Sequence, residues 1–364
     1  MANAPIQSQE PIPSFVEVGN FVLVARVFPE RSAWYWMGRQ RPGPVAAYQR
    51  RLTLPNVFDL RRKLNARSTR LAFVHVPIRP KKPFDQSLVR MLHGDFGILA
   101  FREVLSATQC PVVGLDFNDA MVISDIALKV LDRSCCYFKR ELPADIQQLL
   151  PKSASSAQRR VLERNTHKLM PASLGLSDDR IHNLPKEEHE RKHDVFFSGD
   201  TSSEVRRREV HLLDELKARG IRVFRPESRL TQQEFFKCCA ESYLVWSPEG
   251  AGWDCFRHYE AAGCGSVPLM NAPCIRPYMP FVPEQHALYY RSDFGNRSAR
   301  CPEFQSVTEG LISTVMRALE DREKLRTMGM AARAFVLQNH THEAIVTHIV
   351  RTAEARSLAG PSPG

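Results

Sequence analysis

The stretch from Trp246 to Leu269, WSPEGAGWDCFRHYEAAGCGSVPL, combines residue types that could bind a phosphorylated ligand. Gly250 and Gly252 would leave backbone N–H groups free to approach an anion at the positive end of a helix. Arg257, one turn into that helix, could add a charge-assisted fork to a phosphate. Glu260 lies three residues further on the same face, where a carboxylate suits the vicinal hydroxyls of a ribose or sugar. The pattern predicts a nucleotide-sugar site.

Each of these residues also has a purely structural interpretation. Arg257 and Glu260 could form a surface ion pair worth about 0.3 kcal/mol, with the glycines serving only as turn formers. Trp253 could stack on a base or sugar, or fill the core beneath the loop. Glu249 and Asp254 are further candidates of the same loop for contacting the donor.

The surrounding pattern places this loop at the edge of a parallel sheet. Apolar runs alternate with amphipathic stretches, and ligands of doubly wound sheets bind at the carboxyl ends of the strands. Ser198 and Gly199 form the turn after the first of these strands, where backbone donors could face an anion. The predicted strands and helices of this half lie at 195–199, 203–220, 221–226, 231–242, 243–248, 266–271 and 286–290.

The first half shows the same alternation less cleanly. Strand-like runs and helix-like runs predict a second parallel α/β sheet. The fold class expected is therefore α/β, with two Rossmann-like doubly wound domains facing a cleft. The predicted units are an N-terminal basic domain (1–184, with 1–14 disordered), a donor domain (185–340) and a C-terminal helix (341–364) that crosses back to the first domain and ends in a disordered tail. The polar stretch 151–192 is expected to connect the domains.

Charge separates the two halves of the 364-residue chain. Residues 1–184 carry 26 Lys and Arg against 16 Asp and Glu, while residues 185–364 carry 24 of each, so the net charge of +10 lies in the first half. A basic half suggests an acidic partner, such as a phosphorylated substrate, an anionic membrane surface or a nucleic acid. Nucleic acid is the less favoured of these, because the basic segment 50–70 holds only Phe58 for base stacking. No apolar run reaches the ~20 residues of a membrane span, and no export signal is evident, which predicts a cytoplasmic protein.

The loop motif also resembles a known family. The order S-P-x-G, Arg, Glu-Ala and Gly-x-Val-Pro resembles the exostosin-type glycosyltransferases and their bacterial relatives of GT-B architecture. The residues that keep its spacing are Arg257, Glu260, Gly265, Val267 and Pro268. The segment VFFSG (195–199), followed by the basic residues Arg206 to Arg208, is similar to the start of the same donor domain, and YFKREL (137–142) resembles a segment of the bacterial enzymes.

The resemblance implies transfer of a glycosyl group from a nucleotide diphosphate sugar, of UDP or GDP type, to a hydroxyl acceptor. It implies no metal ion or other cofactor, since enzymes of this architecture generally need none. In related group-1 transferases two acids are separated by seven residues, whereas here Gly252 stands eight positions before Glu260. This departure disfavours their retaining mechanism, and an inverting reaction is expected.

An inverting enzyme needs a base for the acceptor hydroxyl, which the first domain would supply. His93 and Asp95 interrupt an apolar helical pattern in LHGDFG, and Asp116 and Asp119 follow the end of a strand in GLDFNDA. All four could equally be caps or turn residues.

Two other classes of function remain open from the sequence. The chain could be a GT-B enzyme of another reaction type, such as an epimerase or a phosphorylase-like enzyme, or a non-catalytic protein that binds anions or nucleic acid. For a glycosyltransferase, the basic half favours an acidic or lipid-linked acceptor, such as a growing surface polysaccharide, and peripheral association with the inner membrane face.

Overall fold

The computed structural model describes residues 69–76, 111–294 and 301–358 and four further strands nearer the N-terminus. These four strands are β1 (Ser14–Val18), β2 (Phe21–Val27), β3 (Ala33–Trp36) and β4 (Tyr48–Arg51). The described residues form two α/β units, each built on one sheet.

The first sheet has eight described strands in the order β4-β3-β1-β2-β5-β6-β7-β8. The last four are β5 (Thr69–His75), β6 (Val112–Asp116), β7 (Ser134–Lys139) and β8 (Leu169–Pro171). All neighbours are parallel except that β2 runs antiparallel to β1 and β5. The sequence predicted a wholly parallel sheet. The difference arises because only Gly19 and Asn20 join β1 to β2, and a two-residue connection permits only an antiparallel hairpin.

The described residues of this half include two helices and a short third one. Helix α1 (Asp125–Arg133) is capped by Ser124, and α2 (Ser156–Asn165) begins with a capping box. Helix α3 (Asp178–His182) follows β8. The stretch 151–192, predicted only as a connection, therefore holds α2, β8 and α3, and β8 adds a strand to the first sheet by pairing with β7.

The second sheet is parallel throughout, as predicted. Its order, β10-β9-β11-β12-β13, is that of a doubly wound unit, in which the chain reverses direction beside the first strand. The strands are β9 (His193–Phe196), β10 (Val223–Phe224), β11 (Ser242–Trp246), β12 (Val267–Asn271) and β13 (Leu288–Tyr290). The loops after β9 and β11 thus meet at one edge of the sheet, and these loops contain the predicted site residues.

Helices cover both faces of this sheet. Helix α6 begins with a capping box formed by Thr231, and the helix predicted over 203–220 is divided into α4 and α5. The helices are α4 (Glu204–Glu209), α5 (Leu212–Ala218), α6 (Gln232–Ala240), α7 (Phe256–Gly263), α8 (Leu311–Ala318) and α9 (Arg322–Asn339).

The last helix, α10 (His342–Leu358), packs on the first sheet and not on the second. Its buried Ile345 and Ile349 join a cluster with Phe73 and Phe138. Burying an Ile side chain contributes roughly 1.5–3 kcal/mol, so this contact holds the two units together. Within the described residues, no helix has the length and apolar character needed to cross a membrane.

Candidate functional site

Two arginines converge where β9 and β11 end. Arg206, on α4, donates from Nη2 to the Pro248 carbonyl at 3.1 Å and from Nη1 to the Asp200 carbonyl at 3.5 Å. Arg257, on α7, donates from Nη2 to the Ser198 carbonyl at 2.7 Å. The hydrogen bonds therefore bring two positive charges to one edge of the sheet while ending on neutral carbonyl oxygens.

Arg257 has more donors than partners. Its Nε and Nη1 atoms are inaccessible to solvent and make no hydrogen bond among the residues that the structure describes. The guanidinium carbon lies 5.3 Å from the centre of the Phe197 ring. A buried donor without a partner costs about 1–3 kcal/mol, more for a charged group. This arrangement suits an anionic ligand that would accept from the guanidinium.

Arg206 also favours the binding of an anion at this edge of the sheet. Burial, followed by the positive charge of Arg257, lowers the pKa of Arg206. The nearby carboxylate of Asp200 is exposed, and its pKa is lowered by hydrogen bonds from Ser202 and then by the two arginines. A group with two or more negative charges beside both guanidinium groups would offset the unfavourable effect of Arg257 on the charge of Arg206.

The glycines keep this region open for the arginine side chains. A Cβ atom at Gly199 would overlap the Arg257 guanidinium, and one at Gly250 would lie 2.9 Å from Arg206 Nη2. The sequence predicted instead that the Gly250 N–H would face the anion. That N–H donates to the Gly252 carbonyl at 2.8 Å, because the loop closes into a tight turn there.

Glu141, a residue of the first unit, binds the loop that precedes α7. Its carboxylate accepts from the backbone N–H of Trp253 at 2.9 Å and from that of Asp254 at 3.0 Å. A Cβ atom at Gly252 would overlap this carboxylate, so the glycine permits the contact. Glu141 is fully buried, and burial raises its pKa to about 8 against the opposing charge of Arg140. The contact fixes the loop that leads into α7.

Trp253 lies in the core. Its ring is 4% exposed, and its Nε1 donates to the Asn271 carbonyl at 2.9 Å. Of the two roles considered for this residue, the structure shows the packing role, because a buried ring cannot stack on a ligand in this arrangement. Glu249 is bound to the same neighbour: its N–H donates to Asn271 Oδ1 at 2.8 Å, and Asn271 Nδ2 donates to its carboxylate at 3.0 Å.

Asp254 links the two units. It is 3% exposed and accepts from the Leu174 N–H at 2.8 Å and from the Tyr259 hydroxyl. Burial raises the pKa of Asp254. Its oxygens are bonded to protein groups, so the structure assigns it to the frame of the site and not to its ligand-binding surface.

Glu260 pairs with a residue other than the one expected. Its carboxylate contacts Arg180 of α3, so the alternative of an Arg257–Glu260 ion pair is wrong. Arg180 also lies 4.1 Å above the ring of Phe256. Burial raises the pKa of Glu260, while Arg180 and Arg257 act to lower it. The Glu260 carboxylate lies one turn away from Arg257 on the same helix, and Arg180 covers it.

The candidates in the first half separate into three groups. Asp116 is 1% exposed and accepts from Tyr137 and Lys139 at 3.0 and 3.1 Å, so its carboxylate is bound within the core and unsuited to act as a base. Asp119 is half exposed and contacts Arg140. His93 and Asp95 lie outside the described residues.

Sequence reasoning missed the contribution of Arg140 and Glu141. The signal was present, since three consecutive charged residues, Lys139 to Glu141, stand at the end of the buried strand β7, whose last residue is Lys139. All three are nearly or fully buried. Charged side chains are rarely buried unless they are paired, so such a run indicates a polar network at a strand end.

No group of three or more His, Cys, Asp or Glu side chains suited to a metal ion occurs among the described residues. The chain matches no protein-family model and no curated protein.

Solved structures to which the chain is similar include the following three. A glycosyltransferase from Rickettsia africae ESF-5 is 11% identical, with a TM-score of 0.49 over 91% of each chain. Sucrose-phosphate synthase from Thermosynechococcus elongatus is 12% identical, with a TM-score of 0.46 over 90% of this chain and 89% of that one. HepE of Anabaena, in complex with UDP-glucose, is 12% identical, with a TM-score of 0.43 over 89% and 91%. The exostosin-like motif stays a prediction.

Proposed function

We propose that this chain is a glycosyltransferase that moves a sugar from a nucleotide diphosphate sugar to a hydroxyl acceptor. The observation that carries the proposal is the arginine pair at the carboxyl ends of β9 and β11, in which two buried donors of Arg257 have no partner among the residues that the structure describes. The carboxyl edge of a doubly wound sheet is where such folds bind nucleotides. A diphosphate supplies the charge and the acceptors that this pair lacks.

The chemistry of transfer uses the same pair. When the bond between the anomeric carbon and the phosphate oxygen breaks, negative charge accumulates on the leaving diphosphate. Arg206 and Arg257 would stabilise that charge in a site where they are already held in position. Two guanidinium groups can perform this role without a metal ion, and the donor would be of UDP or GDP type.

Glu260 is the group proposed to accept hydrogen bonds from the ribose or sugar hydroxyls. It lies one turn along α7 from Arg257, so the phosphate and hydroxyl contacts would come from one helix face. Its present partner, Arg180, would share the carboxylate or move aside when the donor binds.

The base for the acceptor hydroxyl is proposed to come from the first unit. Among the described candidates, Asp119 has the exposed carboxylate that this role needs, whereas Asp116 is fully engaged. His93 and Asp95 stay as predictions. With no second acid eight positions before Glu260, an inverting reaction is the outcome proposed.

The basic first half supports an acidic or lipid-linked acceptor at the inner membrane face. Binding to anionic vesicles that weakens as salt is added from 50 to 300 mM would support this part of the proposal. Binding independent of salt would contradict it.

The donor site is tested by thermal shift with UDP, GDP, dTDP, CMP and ADP, each also as a nucleotide sugar. A ligand at a hundredfold excess over its Kd adds about 2.7 kcal/mol to the stability of the folded state. One nucleoside diphosphate should stabilise the wild type, with the shift lost in Arg257→Ala and Arg206→Ala. Arg207→Ala, an exposed arginine of the same helix as Arg206, is the matched control and should behave as wild type. No shift with any of these compounds would refute the proposal.

A further inference from the structure

Cys255 lies beside the arginine pair, at the residue that caps the N-terminus of α7. Its sulfur is 3.7 Å from Nδ1 and 3.6 Å from Nε2 of His258, and 3.9 Å from the Ser247 hydroxyl. The residue is partly exposed, whereas His258 is 1% exposed. A nucleophile and a titratable imidazole therefore stand together beside the proposed phosphate site.

The hydrogen bonds of His258 are compatible with a charged imidazole. Nε2 lies 2.8 Å from the Trp253 carbonyl, which can only accept, so this nitrogen carries a hydrogen. Nδ1 lies 2.7 Å from the Ser247 oxygen. With a second proton on Nδ1, the Ser247 oxygen accepts it and the Ser247 hydrogen is free to point to the sulfur. An imidazolium and a thiolate thus satisfy every donor and acceptor of this group.

The charges around the sulfur favour the same state. Arg206, Arg257 and His258 all interact electrostatically with the sulfur and favour the thiolate. Glu249 is a carboxylate that opposes a negative charge there, and the exposed Asp200 interacts with both arginines. Burial acts to raise the pKa of the Cys255 thiol, but His258, Arg257 and Arg206 lower it to about 6. The start of a helix stabilises a thiolate further.

We propose that Cys255 is a covalent modification site that takes small disulfides. The thiolate attacks one sulfur of the disulfide, the bond between the two sulfurs breaks, and the other half leaves as a thiolate. One disulfide replaces another, so no separate oxidant is needed. Because the added group would occupy the space beside Arg206 and Arg257, it closes the donor site; this consequence rests on the proposed function.

Cys238 provides an internal comparison. It is also partly exposed, but burial raises the pKa of its thiol. At pH 6, a thiol with a pKa of about 6 is half ionised, against about one part in a thousand for an ordinary thiol near 9. The lower intrinsic nucleophilicity of the more acidic thiolate reduces this advantage, which leaves roughly a 15- to 30-fold faster reaction.

The experiment treats the full chain with bis(2-hydroxyethyl) disulfide between pH 5 and 9 and measures mixed disulfides by peptide mass spectrometry. Cys255 should react at least roughly 15-fold faster than Cys238 at pH 6, since burial raises the pKa of the Cys238 thiol, and the Cys255 rate should level off above pH 7. Equal rates at pH 6, or a Cys255 rate that rises only above pH 8, would overturn the proposal. In His258→Gln the inflection should move to higher pH, and an unchanged profile would show that the imidazole does not support the thiolate.

Adding UDP or GDP separates this proposal from the proposed function. Slower modification of Cys255 in the presence of a nucleoside diphosphate supports both. Fast modification that neither compound slows would support the reactive thiol and count against the donor site.

Discussion

A single added methyl group at Gly199 should weaken donor binding while leaving the fold intact. The Cβ atom of alanine would overlap the Arg257 guanidinium and displace it from the Ser198 carbonyl. Gly199 is not in the left-handed region that disfavours side chains, so the backbone can accept alanine. The change therefore acts on the arginine and not on the chain path.

The expected loss of ligand affinity follows from the contribution of one hydrogen bond from Arg257 to the phosphate. A hydrogen bond from a charged donor contributes about 1.5–3 kcal/mol, so the Kd of a nucleoside diphosphate should rise by roughly 10- to 150-fold. The free energy of unfolding should fall by about 0.5–2.6 kcal/mol, because the ~0.4–1 kcal/mol that replacement of glycine gives through the unfolded chain offsets only part of the lost Arg257 hydrogen bond. Isothermal titration calorimetry measures the affinity and urea denaturation the stability.

Gly310→Ala is the matched control, because a Cβ atom there would meet no atom of the described residues within 4 Å. It should bind as tightly as the wild type. If Gly199→Ala also bound within twofold of the wild type, Arg257 would not be a phosphate ligand in the position described, and the reasoning from the arginine pair would be wrong.

Three further changes test other parts of the account. Glu260→Gln should weaken binding of a nucleoside diphosphate about 5- to 10-fold in calorimetry but leave inorganic pyrophosphate unaffected, since pyrophosphate has no hydroxyls for this residue; equal losses for both ligands would contradict its role. Trp253→Phe should lower the free energy of unfolding in urea by about 1–3 kcal/mol without changing ligand affinity, and a loss of affinity instead would mean that the ring contacts the donor. Burial lowers the pKa of His340 from 6.5 to about 4, so the neutral ring contributes stability that is fully present above pH 6.5 and is lost as pH falls toward 4. Between pH 6.5 and 4, the free energy of unfolding of His340→Gln should therefore fall by about 3 kcal/mol less than that of the wild type, as measured by denaturation at each pH. Equal falls for the two proteins would refute the lowered pKa of His340.

The sequence predicted the parts of the site that lie on one element or directly after one strand. Arg257 and the glycines could be placed because a Gly-bearing loop between an apolar strand and a helix has few possible positions in a doubly wound sheet. The alternation of apolar runs likewise predicted the second sheet, strand by strand. The sequence pattern was sufficient to predict those parts of the site whose residues lie close together in the sequence.

Contacts between distant residues could not be predicted in this way. Glu141 binds the loop across 112 residues, and Arg180 reaches Glu260 across 80. Nothing in the type or spacing of these residues indicates which carboxylate meets which donor. The orientation of Trp253 depends in the same way on the Asn271 carbonyl, which lies on the following strand.

Cleavage of the donor is the measurement that tests the central claim most directly. Any UDP- or GDP-sugar found to bind would be incubated with the protein and followed by ³¹P NMR for release of the free nucleoside diphosphate. We expect release by the wild type and by Arg207→Ala, and release at least ~100-fold slower by Arg257→Ala, as for the loss of a group that stabilises the leaving charge. Release no faster than without protein, or an Arg257→Ala variant as fast as the wild type, would contradict the account.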